Sequence, residues 1–280
     1  MSDSSHDRLR PIASPQNSLL KQLRRAFHSG QLTEDGYCAI ESVRIVEEAI
    51  RSGLKFKAIV FSTAAQQHAS RLLPQIGVHV QTLVAPDSVF TGAVATENPQ
   101  GVAALVKLKE ASLDALIETS CPLILIIAGV QDPGNLGTIL RSAEAFGVTG
   151  ALLIHGTVSP FNAKVVRASA GSLFRLHVVR AEIGAGLMKL REHEFRLVAT
   201  SSHKGTAVHE ADLTGPLAIF VGNEGAGLPK ELLGEIDETV VIPHSPRVES
   251  LNVAVATSIT LYEISRQRVE NPAQRHRATK

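Results

Sequence analysis

The sequence contains no tryptophan, only two tyrosines and two cysteines, and almost no net charge. Cys38 and Cys121 stand in neither metal-ligand nor redox spacing, so a reducing compartment is expected. The eleven histidines show no paired ligand spacing, and no metal is expected. A formal net charge of +1 leaves no global electrostatic footprint, so a nucleic-acid partner cannot be argued from total charge. Local basic patches exist at Lys21, Arg24 and Arg25, and at Arg266, Arg268, Arg275, Arg277 and Lys280, where solvated faces are an equal explanation. The first residues lack the apolar core of a signal peptide, and the apolar run from Leu123 to Val130 is far too short to span a bilayer. No membrane association and a cytoplasmic location are expected.

With few aromatics, 44% hydrophobic and 20% charged residues, the composition is that of an ordinary soluble globular protein. A length of 280 residues favours two modest domains over one large one. Residues 1–15 are polar with two prolines and read as a flexible tail. Helical spacing runs from Ser18 to Phe27 and from Glu41 to Ser52, strand patterns over 57–62, 78–83 and 102–108, and a helical pattern over 66–73. Residues 16–110 are thus expected to form a small α/β domain, with 111–120 as linker.

Beyond Pro122 strands and helices alternate. Strands are expected at 123–128, 151–154, 196–199, 217–221 and 239–242, and helices at 135–146, 164–168, 184–192 and 250–268. Residues 121–268 therefore read as an α/β domain with a mostly parallel sheet, and 269–280 as a basic tail. Ligands of such sheets bind at the carboxyl ends of the strands.

Three strand-end loops carry chemistry. In Gln131-Asp-Pro-Gly-Asn-Leu-Gly-Thr-Ile-Leu-Arg141, Asn135 is placed to cap a helix, and Arg141 lies off its apolar stripe. A capped helix with one solvated arginine explains this. Helix amides plus a guanidinium also suit a phosphate or a developing oxyanion. In Phe220-Val-Gly-Asn-Glu-Gly-Ala-Gly-Leu-Pro229, three glycines fall within six residues and permit close approach of backbone to a ligand. The third loop runs from Ile242 through two prolines to Ser250, expected as N-cap of the last helix, with Asn252 as an amide that needs a partner.

These loops resemble the three motifs of the SpoU family of RNA ribose methyltransferases, within the SPOUT superfamily of knotted methyltransferases. The likeness rests on Asn135, Gly137 and Arg141, then Gly-Asn-Glu-Gly-Ala-Gly at 222–227, then Ile242-Pro243 followed by Ser-Leu-Asn-Val at 250–253. The segment Phe161 to Ser172 looks like the family's stretch between its first and second motifs. Ser14-Pro-Gln-Asn17, the helix around Glu41 and Thr96 to Val102 resemble its substrate-binding domain. The chain departs from many relatives at His244, where they have methionine, and at Ala254, where they have serine.

The resemblance implies a deep trefoil knot whose loops bind S-adenosylmethionine through Gly222, Ile242 and Leu251, with Thr200, Asn223, Glu224 and Gly225 nearby. It implies transfer of a methyl group to a ribose 2′-hydroxyl of RNA, ribosomal more readily than transfer RNA, by a homodimer that needs no metal. Arg141 would stabilise the forming oxyanion and a neighbouring phosphate, since a guanidinium is a poor general base. Asn135 would hold the arginine or the ribose, Glu224 would orient Arg141 or its loop, and Ser250 and Asn252 would line the reacting site. The apolar helix 253–264 suits a dimer, although a buried core helix explains it equally. A dinucleotide-dependent oxidoreductase fits poorly, because no Gly-x-Gly-x-x-Gly follows a first strand. A serine hydrolase lacks its Gly-x-Ser-x-Gly elbow. A non-catalytic RNA-binding relative is opposed by the intact polar set at Asn135, Arg141, Glu224, Ser250 and Asn252.

Overall fold

The computed structural model describes residues 8–119, 121–223 and 225–270, and the chain forms two compact units. The first comprises the N-terminal part to Lys109 together with Ser159–Phe174. Its elements are β1 (Arg10–Pro11), α1 (Ser18–Ser29), β2 (Cys38–Glu41), α2 (Val43–Arg51), β3 (Lys55–Ser62), α3 (Ala69–Leu72), β4 (Gln81–Ala85), α4 (Asp87–Thr91) and β5 (Val102–Lys107). They make a five-stranded mixed sheet, ordered β1-β4-β3-β5-β2, with β5 antiparallel to both its neighbours. Leu19, Leu20, Leu23 and Phe27 lie on one stripe of α1 and bury against Ala58, Val60, Leu83 and Leu105 of the sheet.

Several expectations shift here. Residues 8–15 are no free tail: Arg8 donates to the carbonyls of Leu73, Ile76 and Gly77, and β1 pairs in parallel with β4. The strand expected from Val78 begins at Gln81, because Gly77 and Val80 close a turn that leaves Val78 88% exposed. Glu41 ends a strand instead of opening a helix. Its nearly buried carboxylate accepts from Thr96 and from Arg167 of α7 (Ala163–Ala168). Arg167 belongs to Ser159–Phe174, which the sequence bounds had left in the second domain; Ala163 of the same segment joins the first core.

The second unit holds α5 (Leu113–Ile117), β6 (Leu123–Ile127), α6 (Pro133–Ala145), β7 (Gly150–Leu153), β8 (His177–Arg180), α8 (Ile183–Glu192), β9 (Arg196–Ser201), β10 (Thr206–Ala207), β11 (Leu217–Val221), α9 (Lys230–Leu233), β12 (Glu238–Val241) and α10 (Val253–Glu270). Its seven strands, ordered β10-β12-β9-β11-β6-β7-β8, are all parallel. The fully buried runs LILII of β6 and LAIFV of β11 sit side by side at its centre, as continuous apolar strands of a parallel sheet must.

The expected linker contains α5, whose Leu116 packs so tightly that a Cβ at Gly150 would fall 2.2 Å from it. α10 lies along α6, joined by Ser142 and Ser258 hydroxyls 2.7 Å apart and by an edge-to-face contact of Phe146 and Tyr262. Arg266 is paired with Glu263 and Glu270, and Arg268 donates to the carbonyls of Cys121, Pro122 and Gly215, so neither serves a free basic tail. Arg275, Arg277 and Lys280 lie outside the described residues. Among the described residues, no helix is long and apolar enough to cross a membrane.

Ser42, the N-cap of α2, has φ 85° and ψ 147°, a region that non-glycine residues occupy only under strain. Its hydroxyl accepts from Ile45 N at 3.3 Å, a contact whose loss to glycine costs a few tenths of a kcal/mol. Relief of strain outweighs that loss. Ser42→Gly should therefore stabilise the protein by about 1 kcal/mol, read as a higher midpoint in denaturant titration.

Candidate active site

Three of the parallel strands, β9, β11 and β12, end beside one another, and the loops that follow them enclose a cavity of about 470 Å³. Its lining includes Thr200, Ser201, Ser202 and Lys204 after β9, Gly222, Asn223 and Gly225 to Leu228 after β11, and Ile242, His244, Ser250 and Leu251 after β12. The expected positions Gly222, Ile242, Leu251, Thr200, Asn223, Gly225 and Ser250 thus meet at one place, although they span 52 residues of sequence.

Asn223 builds the glycine loop. Its Oδ1 accepts from Gly225 N at 2.9 Å and Ala226 N at 3.0 Å, and its backbone makes a two-way bridge to Gly227. Its Nδ2 donates to Gly129 O at 2.8 Å, tying the loop to the end of β6. This side chain is spent on the protein's own backbone. Gly222 is required for the same closure: a Cβ there would sit 2.4 Å from Gly227 C and 2.7 Å from Leu228 N. Glu224 lies outside the described residues.

The first loop differs from its expected capping. Asp132, not Asn135, caps α6, accepting from Asn135 N at 2.8 Å, with Pro133 at the first helical position. Asn135 sits in the first turn and accepts from Asn252 Nδ2 at 3.1 Å. Asn252 in turn takes the capping place expected of Ser250: its Oδ1 accepts from Ala254 N and Val255 N at the start of α10. Ser250 is left to line the cavity. One amide thus joins the α6 and α10 starts through its Nδ2 and caps a helix through its Oδ1. Arg141 projects from α6 as an exposed guanidinium and does not line the cavity.

Sequence reasoning passed over Ser201, Ser202, Lys204, Leu228 and Leu233 as lining residues. The strand-end rule applied to β9 would have found the first three. In the first unit, burial pushes the Cys38 thiol up to about 12, so it is a protonated core residue.

Two family models match the chain, one over each part. Residues 122–262 match the SpoU rRNA Methylase family, and residues 17–104 match the MRM3-like substrate binding domain. The 23S rRNA (guanosine(2553)-2′-O)-methyltransferase RlmP of Bacillus subtilis is 31% identical, covering 91% of this chain and 99% of its own. The AdoMet-bound rRNA methyltransferase from Sinorhizobium meliloti superposes with TM-score 0.79 at 29% identity, over 92% of this chain and 98% of that one. The SpoU methyltransferase AviRb from Streptomyces viridochromogenes, in complex with AdoMet, gives TM-score 0.79 at 27% identity over 91% and 99% of the two chains. The chain belongs to the SpoU rRNA methylase family.

The two loop glycines should respond differently to alanine. Gly222→Ala should destabilise the protein by about 1–3 kcal/mol, since the backbone of 227–228 must move. Gly225→Ala meets nothing closer than Asn223 Oδ1 at 3.6 Å and should leave stability within about 0.5 kcal/mol of wild type. Parallel urea titrations check both values.

Proposed function

We propose that this chain transfers a methyl group from S-adenosylmethionine to a ribose 2′-hydroxyl of ribosomal RNA. The observation that carries the reading is the convergence of three strand-end loops on one cavity, beside the Asn135–Asn252 pair. Family membership supports it, as do the bound AdoMet of the two similar structures and the rRNA substrate in the name of the Bacillus relative.

The cavity fits this cofactor. Its volume is that of a small-molecule site, Ala199, Ile242, Leu228 and Leu251 offer apolar walls for a purine, and Thr200, Ser201 and Ser250 offer hydroxyls. The backbone of the glycine loop approaches without side chains at 222, 225 and 227. When bound, the cofactor supplies a sulfonium methyl that an oxygen nucleophile can take directly. Gly222, Ile242 and Leu251 would hold it, with Thr200, Asn223 and Gly225 shaping the loops around it.

The remaining work belongs to alignment and to charge. Arg141 is exposed, and its planar guanidinium would grip an RNA phosphate and stabilise charge growing on the 2′-oxygen. Asn135 and Asn252, each orienting the other, hold the ribose at the cavity rim. Ser250 lines the same rim, and Glu224 is assigned the orientation of Arg141 or of its loop. The N-terminal unit selects the RNA.

We extend the reading to the knot, the dimer and the compartment. A trefoil is supported by the path of the chain: α10 leaves β12, near one edge of the sheet, and packs on α6, which follows β6 three strands inward. Dimerisation is supported by a stripe on α10, where Val255, Ile259 and Tyr262 stay 48%, 38% and 55% exposed at helical spacing. Ile259→Asp should then yield monomers in sedimentation velocity. A cytoplasmic site of action is supported by the rRNA substrate in the name of the Bacillus relative.

Arg141→Ala should lower single-turnover methylation by on the order of 10²-fold, while cofactor binding and thermal stability persist. Arg141→Lys should restore little, because an ammonium cannot reproduce the two-pronged contact. A mutant that methylates at the wild-type rate removes Arg141 from the mechanism.

A further inference from the structure

Where β3 begins and β5 ends, the sheet of the first unit carries a group of cations around one aromatic ring. Lys57 Nζ lies 5.2 Å and Lys107 Nζ 5.8 Å from the centre of the Tyr37 ring, both within cation–π reach. The tyrosine is fixed by the turn before β2, in which Thr33 N donates to the Tyr37 carbonyl and Tyr37 N donates to Thr33 Oγ1. Gly36 of that turn has φ 78°, and a Cβ there would fall 2.6 Å from Lys107 Nζ. Lys57 is the extra residue of a bulge in β3, between Phe56 and Ala58, and Lys55 stands directly opposite Lys107 in the antiparallel register.

Like charges directly opposite each other across a strand pair repel, so this arrangement costs the free protein. The acids of the same region are fewer. Lys57 pairs with Asp35, Arg25 of α1 pairs with Glu34, and Glu110 follows Lys109 in sequence. Among the described residues, the side chains of Lys55 and Lys109 enter no hydrogen bond or ion pair, and both are exposed. Arg24, the neighbour of Arg25, is spent on the carbonyl of Gly92. Five cations thus meet three acids here, in a chain whose formal net charge is only +1.

We infer that this face, built from Tyr37, Lys55, Lys57, Lys107 and Lys109, grips the sugar–phosphate backbone of the RNA substrate. The inference deepens the reading that the N-terminal unit selects the RNA, and rests on it. Lysines set apart on two strands present separate point charges, the form in which a polymer with a charge at every nucleotide is held. The half-buried Tyr37 ring among them adds a surface on which a base can stack. Bound phosphates would also relieve the repulsion between Lys55 and Lys107, so a pair that costs the free protein becomes favourable in the complex.

Filter binding of the full chain to an unmodified 23S rRNA transcript, from about 50 to about 200 mM salt, tests the inference. Lys55→Gln combined with Lys109→Gln removes two charges that hold nothing in the protein, so the variant should melt no lower than wild type. Its RNA affinity should fall by about tenfold at low salt, and the slope of log affinity against log salt should shrink by about 2, one for each lost phosphate contact. Arg44→Gln combined with Lys230→Gln removes as many exposed cations from other elements and should leave the slope nearly unchanged. Calorimetry with S-adenosylmethionine should give wild-type affinity in both variants. An unchanged affinity and slope in the Lys55 and Lys109 variant overturns the inference. So does an equal loss in the Arg44 and Lys230 variant, which assigns the effect to total charge, and so does wild-type binding of polyglutamate as tight as that of RNA, which makes the face a site for any polyanion. A wild-type chain that binds S-adenosylmethionine but no ribosomal RNA would instead defeat the reading that the N-terminal unit selects RNA, and this inference with it.

Discussion

The side chain of Asn223 is the constraint from which the site is built. One carboxamide satisfies two amides of the glycine loop with its oxygen and the carbonyl of Gly129 with its nitrogen, so the ends of β6 and β11 are locked together at the centre of the parallel sheet. The loop this creates has room only for hydrogen at Gly222, and it forms one wall of a cavity whose other walls follow β9 and β12. The bond to the Gly129 carbonyl is part-buried, so its loss would leave a partly desolvated acceptor without a partner, whereas the two loop amides are exposed and would turn to water. The catalytic geometry proposed above is in this sense a consequence of backbone bookkeeping at three adjacent strand ends.

A second amide plays the same part at the rim. Asn252 caps α10 with its oxygen and reaches Asn135 with its nitrogen, so the helix that ends the chain and the helix after β6 start from a shared polar contact. Two asparagines, 29 positions apart, thus convert loops into fixed walls, and in both cases the side chain serves backbone first. This explains how a chain with a net charge of +1 can be assigned an RNA-directed site: the charge needed is local. Basic residues elsewhere are largely engaged, Arg266 with Glu263, Arg268 with three carbonyls, Arg167 with Glu41, whereas Arg141 stays exposed. The Arg266 bonds hold the Glu263 carboxyl below the usual carboxylate range, which marks this pair as structural.

Much of this was readable from residue patterns. The apolar runs of β6 and β11 announced buried parallel strands, and the Gly, Pro and Asn punctuation after them located the loops that line the cavity. What periodicity could not resolve was which of several polar residues does the capping. Asp132 and Asn252 cap, while Asn135 and Ser250, equally good candidates by type, do other work, because the choice depends on where the first turn begins in three dimensions. Nor could a short edge strand such as β8, four residues long, be told from a loop. The pairing of Arg167 with Glu41 spans 126 positions and left no local trace, so the excursion of Ser159–Phe174 into the first unit is visible only in the folded chain.

The central claim is the reaction itself: methylation of a ribose oxygen of ribosomal RNA at the cavity bounded by Gly222, Ile242 and Leu251. The most direct measurement incubates the purified chain with methyl-labelled S-adenosylmethionine and unmodified ribosomal RNA, digests the product to nucleosides and maps the label. The account predicts a 2′-O-methylated nucleoside at a defined position, with transfer RNA labelled weakly or not at all. Label on a base, or no label in any RNA while the cofactor binds, would contradict it.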